Sequence, residues 1–235
     1  MTAEPSLPDQ LDCRVGSMLV TLARRAITDV STTDGGSVPE TAPEEVVDAP
    51  DGMADAPEEI TAVLREPRGA FVTLERAEQL RGCCGRIESS EPLWRATATS
   101  ARTAATEDPR FPPVSETELP ELTVSVTVLS EPAPVNSGNP AAIPEHIEVG
   151  RDGLLVSDGS SQGVLLPQVP VAHDLDERAF LAATCRKAGL PDDAWQHERI
   201  EIRRFTGRAF EERSPRGEVL VRRYDQGVSP SAGHF

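Results

Sequence analysis

The stretch Leu122-Thr-Val-Ser-Val-Thr-Val-Leu-Ser130 carries the clearest secondary-structure signal in the 235-residue chain. Leu or Val stands at every second position from 122 to 128, and Thr or Ser stands between them. This alternation predicts a β-strand with one apolar and one polar face. A second strand is predicted at Gly69–Arg76 (GAFVTLER), which is rich in Phe, Val, Thr and Leu.

Helical patterns lie around these strands. Residues 11–30 place apolar side chains at i, i+3 and i+4 spacing, which predicts an amphipathic helix. A second helix is expected at Ser89–Thr106, with Ser90 as its N-cap. The capping box Asp174-x-x-Glu177 predicts a third helix, which Gly189 would end.

Shorter elements complete the pattern. We predict a helical turn at Glu59–Arg65, a capped turn at Ser115-x-x-Glu118, and short strands near Ile147–Val149, Leu154–Ser157, Val164–Leu166, Ile200–Arg208 and Glu218–Arg223. The sequence shows no long βαβ alternation and no internal repeat. Helices interspersed with antiparallel hairpins predict an α+β fold, in which helices flank an antiparallel sheet.

The charge is unevenly distributed along the chain. Asp and Glu number 39 against 23 Lys and Arg, which gives a formal net charge of −16. Residues 31–59 are acidic and rich in Pro, Gly and Thr, and they predict a flexible insertion because they would bury too little apolar area to offset the entropy of ordering. Residues 225–235 predict a loose tail. Scarce lysine and few aromatics favour a halophile-like protein, or alternatively a GC-rich genome that prefers Arg codons.

The composition argues against several classes of protein. No apolar run approaches the roughly 20 residues that span a bilayer, and the first residues lack the features of a secretory signal, so we expect a cytoplasmic protein without membrane contact. The negative charge disfavours nucleic acid as a partner. Four cysteines without an export signal favour free thiols, and the absence of paired C-x₂₋₄-C spacing predicts no metal site.

The run Leu80-Arg-Gly-Cys-Cys-Gly85 is the first candidate site. Two glycines bracket two cysteines, which predicts a shaped turn or bulge with close backbone approach. Cys83 is the candidate catalytic residue, because Arg81 and the backbone N–H groups of a glycine-rich turn would favour a thiolate. Arg81, Gly82 and Gly85 are candidate binding residues. The alternative is that Cys83 packs beneath the bulge as a small apolar side chain.

Further candidate binding residues lie at two other places. Asp108 and Arg110 belong to a proline-fixed segment that either binds a ligand or forms a turn locked by an Asp–backbone hydrogen bond and an Arg–carboxylate pair. His173 is the only one of the four histidines beside a motif. We count it as a candidate binding residue, although a position near a helix cap explains His173 about as well as a catalytic role does.

A series of motifs runs along the chain: GAFVTL at 69–74, LRGCCG at 80–85, ATEDPRFPP at 105–113, ELP at 118–120, VTVL at 126–129, VGRDGL at 149–154, GVLLPQVP at 163–170 and CRKAGL at 185–190. In content and order this series closely resembles the AMMECR domain family, from about residue 12 to residue 223. The resemblance implies a single α+β domain of two intimate lobes. The larger lobe would come from both ends of the chain and the smaller from its middle.

The resemblance also implies where the site lies. The family's six-residue motif, usually Leu-Arg-Gly-Cys-Ile-Gly, is expected near an interlobe cleft, and here Cys84 stands in place of Ile. A Val-Pro-Val-Glu element of the family has Ala172 in place of its Glu, which leaves His173 or Asp174 as the only substitutes for a catalytic base.

Three functions remain open at this point. The first is an enzyme or small-ligand protein, with unknown cofactor, that uses the Arg81–Gly85 loop at the cleft and Cys83 as nucleophile or contact residue. The second is a protein-binding scaffold, because the resemblance implies association with Memo-like and radical-SAM proteins. The third, a regulator that binds nucleic acid, is disfavoured by the charge.

Overall fold

The computed structural model describes residues 7, 11–31, 56–135 and 137–222. Most of the predicted acidic insertion, residues 32–55, and the whole predicted tail at 225–235 lie outside this part of the chain. Among the described residues, no helix is both long and apolar enough to cross a membrane.

The described residues contain five α-helices, eight strands and three 3₁₀ segments. The helices are α1 Cys13–Ser31, α2 Glu58–Arg65, α3 Leu93–Thr106, α4 Gln168–Ala172 and α5 Glu177–Lys187. The strands are β1 Ala70–Arg76, β2 Gln79–Arg86, β3 Leu122–Leu129, β4 Ala133–Pro134, β5 Asp152–Ser157, β6 Gln162–Leu165, β7 Glu201–Glu212 and β8 Val219–Arg222. The 3₁₀ segments are Glu116–Glu121, Pro140–His146 and Ala194–Gln196. Helices combined with antiparallel strand pairs confirm the α+β prediction.

The chain divides into two units. The described residues of the first unit are 11–31, 56–128 and 209–222, and those of the second unit are 7, 129–135 and 137–208. Strand β7 contributes its first eight residues to the second unit and its last four to the first.

The first unit is built on β1, which lies between β2 and β3 and is antiparallel to both. Alternation of side chains places the pairs Val72–Val126 and Leu74–Val124 on one buried face, as the sequence of β3 predicts. Helix α3 packs on this face, and α1 packs on α3. The strand predicted at 122–130 is therefore confirmed with nearly its predicted bounds.

The start of α3 differs from its sequence prediction. The helix begins at Leu93 with Pro92 as its N-cap residue, so the prediction of Ser90 as the cap is wrong. Pro92 forms an isolated bridge with Pro67, and the N–H of Leu93 donates to the carbonyl of Glu66 at 2.9 Å. The carbonyl of Glu66, which is distant in sequence, thus satisfies an N–H group at the start of the helix that a local side-chain cap would otherwise satisfy.

The motif at 80–85 is part of a strand, so its interpretation as a turn or loop is wrong. The turn of the hairpin lies earlier, at Ala77 and Glu78, which both have positive φ (49° and 63°). The predicted bulge is present within β2: Leu74 pairs with Gly82 but Glu75 pairs with Leu80. Arg81 is therefore the extra residue of a β-bulge.

The second unit is an antiparallel group of β5, β6 and β7 with a core that includes Phe180, Cys185 and Trp195. Its α5 begins at Glu177 because the carboxylate of Asp176 accepts the N–H of Ala179 at 2.8 Å.

Two predictions for the second unit are wrong. Asp174 has φ +52° and lies outside α5, so it is not the cap of that helix. The strand predicted at Ile147–Val149 is absent: residues 147 and 148 follow the 3₁₀ segment Pro140–His146 without regular structure, and Val149 begins a turn. Gly189, with φ +74°, follows α5 as predicted.

Candidate functional site

Cys83 lies in β2 directly opposite Thr73 of β1. The Thr73 hydroxyl donates to the Sγ atom of Cys83 at 3.3 Å. The backbone N–H of Cys83 points away from β1 and donates to Oδ2 of Asp108 at 2.9 Å. Cys83 is thus held on two sides, by a neighbouring strand and by the segment that follows α3.

Asp108 holds this part of the first unit together. Its Oδ1 accepts the backbone N–H and the Nε of Arg110 at 3.1 and 3.0 Å, and its Oδ2 accepts Nη2 of Arg110 at 2.8 Å in addition to the N–H of Cys83. The side chain of Asp108 is only 3% exposed. These hydrogen bonds, led by those from Arg110, lower the pKa of Asp108 to about 2, so the group is a stable carboxylate.

The local sequence explains how Asp108 meets Arg110. Residues 108–111 form a turn in which the N–H of Phe111 donates to the carbonyl of Asp108 at 3.1 Å, with Pro109 at the second position. Pro fixes φ there, and an Asp at the first position can accept from the backbone two residues later. The turn locked by an Asp–backbone bond and an Arg–carboxylate pair is therefore present.

Arg81 pairs with a carboxylate, whereas its predicted role is to stabilise a thiolate at Cys83. Its Nε and Nη2 donate to the two carboxylate oxygens of Glu118 at 2.7 and 3.1 Å. Glu118 also accepts the N–H of Ser115, which confirms the capping box. These interactions, led by the hydrogen bond from Arg81, lower the pKa of Glu118 to about 2.

The electrostatics of Cys83 favour the thiol. Burial raises the pKa of Cys83 above its ordinary value, and this effect outweighs the Thr73 hydrogen bond and the positive charge of Arg110, which both lower the pKa. The cation that acts on Cys83 is thus Arg110, and the resting group is not the thiolate expected from Arg81. A nucleophilic role of Cys83 stays a prediction.

The two glycines of the motif allow close approach of other groups. A Cβ on Gly82 would lie 2.2 Å from the carbonyl oxygen of Ala104 in α3. A Cβ on Gly85 would lie 2.4 Å from both the Ala70 carbonyl oxygen and the ring of Phe71. The predicted close approach is present, and the physical reason for Gly at both positions is packing. Ligand binding by either glycine stays a prediction.

His173 belongs to the second unit. It follows the last residue of α4, its N–H donates to the carbonyl of Val169 at 3.2 Å, and it is exposed. The helix α4 itself has no counterpart among the sequence predictions. A binding role for His173 stays a prediction.

Five residues of the first unit form what we call the Cys83 cluster: Thr73, Cys83, Asp108, Arg110 and Phe111. The ring of Phe111 lies 5.7 Å from the guanidinium carbon of Arg110 and 5.9 Å from that of Arg81. Across the described ranges, no group of three or more His, Cys, Asp or Glu side chains could hold a metal ion.

Sequence reasoning missed two contacts of the site. Thr73 stands opposite Cys83 only once the hairpin register is known, and this register depends on both the two-residue turn at 77–78 and the bulge at Arg81, which shifts the pairing by one residue. Glu118 was visible as a capping residue, but its pairing with Arg81 spans 37 positions of sequence and needs the fold.

Comparison with known proteins gives concordant results. A family model described as AMMECR1 matches residues 20–210. A protein of Thermofilum pendens is 40% identical over 223 residues, which cover 91% of this chain and 97% of that protein. Protein TK0174 of Thermococcus kodakarensis is 46% identical over 209 residues, covering 87% and 93% of the two chains. The crystal structure of the uncharacterised protein PH0010 from Pyrococcus horikoshii is similar with a TM-score of 0.76 and 41% identity, covering 91% of this chain and 99% of that one.

Proposed function

The chain belongs to the AMMECR1 family, and we propose that it binds a small molecule at the Cys83 cluster, with Cys83 as contact residue or nucleophile. One observation carries the proposal. A single buried carboxylate, Asp108, holds both the backbone of Cys83 and the guanidinium of Arg110, whereas the Arg110 side chain is 43% exposed. The arrangement fixes an accessible cation beside a thiol.

The rigidity of the cluster supports a binding role. Binding is stronger when the groups that contact a ligand are already ordered, because less conformational entropy is lost. Arg110 is restrained by two side-chain hydrogen bonds to Asp108 and by a turn with proline at its second position. The Arg81–Glu118 pair is only 12% and 16% exposed, and it fixes a second guanidinium 5.9 Å from the ring of Phe111.

The thiol form of Cys83 limits the chemistry that the cluster performs alone. A nucleophilic step needs a base to accept the proton of the thiol. Asp108 is a poor base because its pKa is about 2. We therefore place a contact role for Cys83 first, and a nucleophilic role requires that the ligand or solvent takes the proton.

The cytoplasm is the compartment that we propose for this protein. All four cysteines are free thiols. Free thiols are typical of proteins in reducing compartments, and this supports the proposal.

Alkylation of the folded protein by iodoacetamide tests the proposed site. The rate at Cys83 is measured between pH 7 and 10 in a Cys84→Ser variant, where the neighbouring thiol cannot contribute. We expect modification of the native protein, with a rate that rises through a pKa above the ordinary thiol value. The fully buried Cys185 is the internal reference and should stay unmodified.

Protection from alkylation then identifies ligands. Small acids, phosphates and amines are added in turn, and the rate at Cys83 is compared with the rate at the exposed Cys13. A ligand of the cluster slows only Cys83. If Cys83 reacts no faster than the protein unfolds, the thiol is a packing group and the proposal is wrong, which would favour a protein-binding role with Memo-like or radical-SAM partners.

A further inference from the structure

The geometry points to a carboxylate as the group that the Cys83 cluster recognises, bound by the outer edge of the Arg110 guanidinium next to the thiol. This inference rests on the proposed function and adds the chemical class of the ligand. It follows from which donors of Arg110 are used within the protein and which are not.

The guanidinium group has two edges that each bind a carboxylate with two parallel hydrogen bonds. Asp108 occupies one of them, because Nε donates to Oδ1 and Nη2 donates to Oδ2. Nη1 makes no hydrogen bond to any described residue. The edge formed by Nη1 and the second hydrogen of Nη2 is thus available, on a side chain that is 43% exposed.

The available edge belongs to a residue that Asp108 joins directly to Cys83. Oδ2 of Asp108 accepts from Cys83 and from Arg110 at 2.9 and 2.8 Å, so one oxygen atom joins the two residues. The charge of Arg110 is also felt by the Cys83 sulfur, whose pKa it lowers against the larger effect of burial. A ligand carboxylate on Arg110 would therefore bring the rest of the ligand close to Sγ.

The charge balance favours a ligand with one negative charge over a ligand with two. Each of the two arginines beside Phe111 is already neutralised by its own carboxylate, Arg110 by Asp108 and Arg81 by Glu118. The whole chain carries a formal charge of −16. A carboxylate with one charge uses the planar edge of Arg110 fully, whereas a phosphate with two charges meets no second cation in the cluster.

Two alkylating agents of similar size separate the carboxylate effect from the reactivity of the thiol. Iodoacetate and iodoacetamide react in the same way: the sulfur attacks the CH₂ carbon, the C–I bond breaks, iodide leaves and the thiol proton goes to solvent. Only iodoacetate carries a carboxylate. We compare the ratio of the two rates at Cys83 in three proteins, the Cys84→Ser variant alone and with either Arg110→Gln or Arg86→Gln.

We expect Arg110→Gln to lower the iodoacetate-to-iodoacetamide ratio about fivefold, the size of effect expected for a partly exposed charge pair. Arg86→Gln is the matched control, because it removes the same charge as Arg110→Gln, from an exposed position on β2, the strand that carries Cys83. It should leave the ratio unchanged. If Arg110→Gln and Arg86→Gln change the ratio equally, Arg110 recognises no carboxylate and the inference is overturned, although the thiol site itself would stand.

A second measurement decides the matter even if Cys83 proves inert. The backbone amide of Cys83 and the Nε–H of Arg110 are followed by NMR while acetate, acetamide or inorganic phosphate is added to the full chain. Shifts with acetate alone support the carboxylate site. Equal shifts with acetate and acetamide, no shifts at all, or stronger binding of phosphate would each overturn it.

Discussion

Gly82 is a position at which one added methyl group would disturb the fold of the site. In a Gly82→Ala variant the new Cβ would lie 2.2 Å from the carbonyl oxygen of Ala104, and ordinary van der Waals contact begins at 3.4 Å. The carbonyl oxygen of Ala104 belongs to the backbone of α3, so the clash cannot be relieved by rotation of a side chain. The helix and β2 must separate by more than an ångström, which disturbs the packing of buried residues on α3 such as Ala101.

Overpacking of this kind costs about 3 kcal/mol of unfolding free energy. For a chain of this length that corresponds to a fall in Tm of about 6–12 °C. Gly138→Ala is the matched control, because a Cβ there meets no atom within 4 Å and the residue does not have positive φ. The control should change the free energy of unfolding by less than about 1 kcal/mol, through the entropy of the unfolded chain.

Urea unfolding followed by circular dichroism measures both variants. Gly82→Ala should unfold at a clearly lower urea concentration than Gly138→Ala. Equal midpoints would show that β2 and α3 do not make this close contact, and the packing explanation of the motif glycine would be refuted.

Two further predictions concern the carboxylates of the site. Asp108→Asn should lower the free energy of unfolding by about 2–4 kcal/mol. The substitution leaves Arg110 without its countercharge, and it replaces a carboxylate that only accepts hydrogen bonds by an amide that also donates. Urea unfolding measures the effect, and an unchanged midpoint would contradict the prediction. Acid should destabilise the protein, because Asp108 and Glu118 have pKa values of about 2 in the fold, below their ordinary 3.8 and 4.5. Their contribution to the free energy of unfolding is therefore complete above about pH 4.5 and is lost as the pH falls towards 2. Thermal unfolding from pH 6 to pH 2 measures the loss, which should be smaller in Asp108→Asn than in the unsubstituted protein.

The parts of the fold that local pattern determines could be predicted. Strands β1 and β3 are half-buried on one face, so their sequences alternate, and α1 carries a regular apolar stripe. Strand β2 could not be predicted in the same way, because Gly82 and Gly85 stand where the backbone of α3 and the ring of Phe71 approach the strand. The residue types in β2 depend on contacts with segments that are distant in sequence.

The same distinction applies to the candidate site. The pairing of Asp108 with Arg110 is local and could be foreseen from the residues around Pro109. The hydrogen bond from Cys83 to Asp108 spans 25 positions, and the pair of Arg81 with Glu118 spans 37. No local sequence pattern predicts these two contacts. They determine that Arg110, and not Arg81, is the cation that acts on the Cys83 thiol.

The position of Asp108 also affects whether two copies of the chain can pair through their sheet edges. Strand β2 lies at an end of the strand order, where outward-facing N–H groups can pair with a strand from another molecule and start aggregation. The N–H of Cys83 is one such group, and the carboxylate of Asp108 already occupies it. A strand from another molecule that paired at this edge would have to displace the buried carboxylate of Asp108, so the residue that orders the site also blocks pairing at this part of the edge.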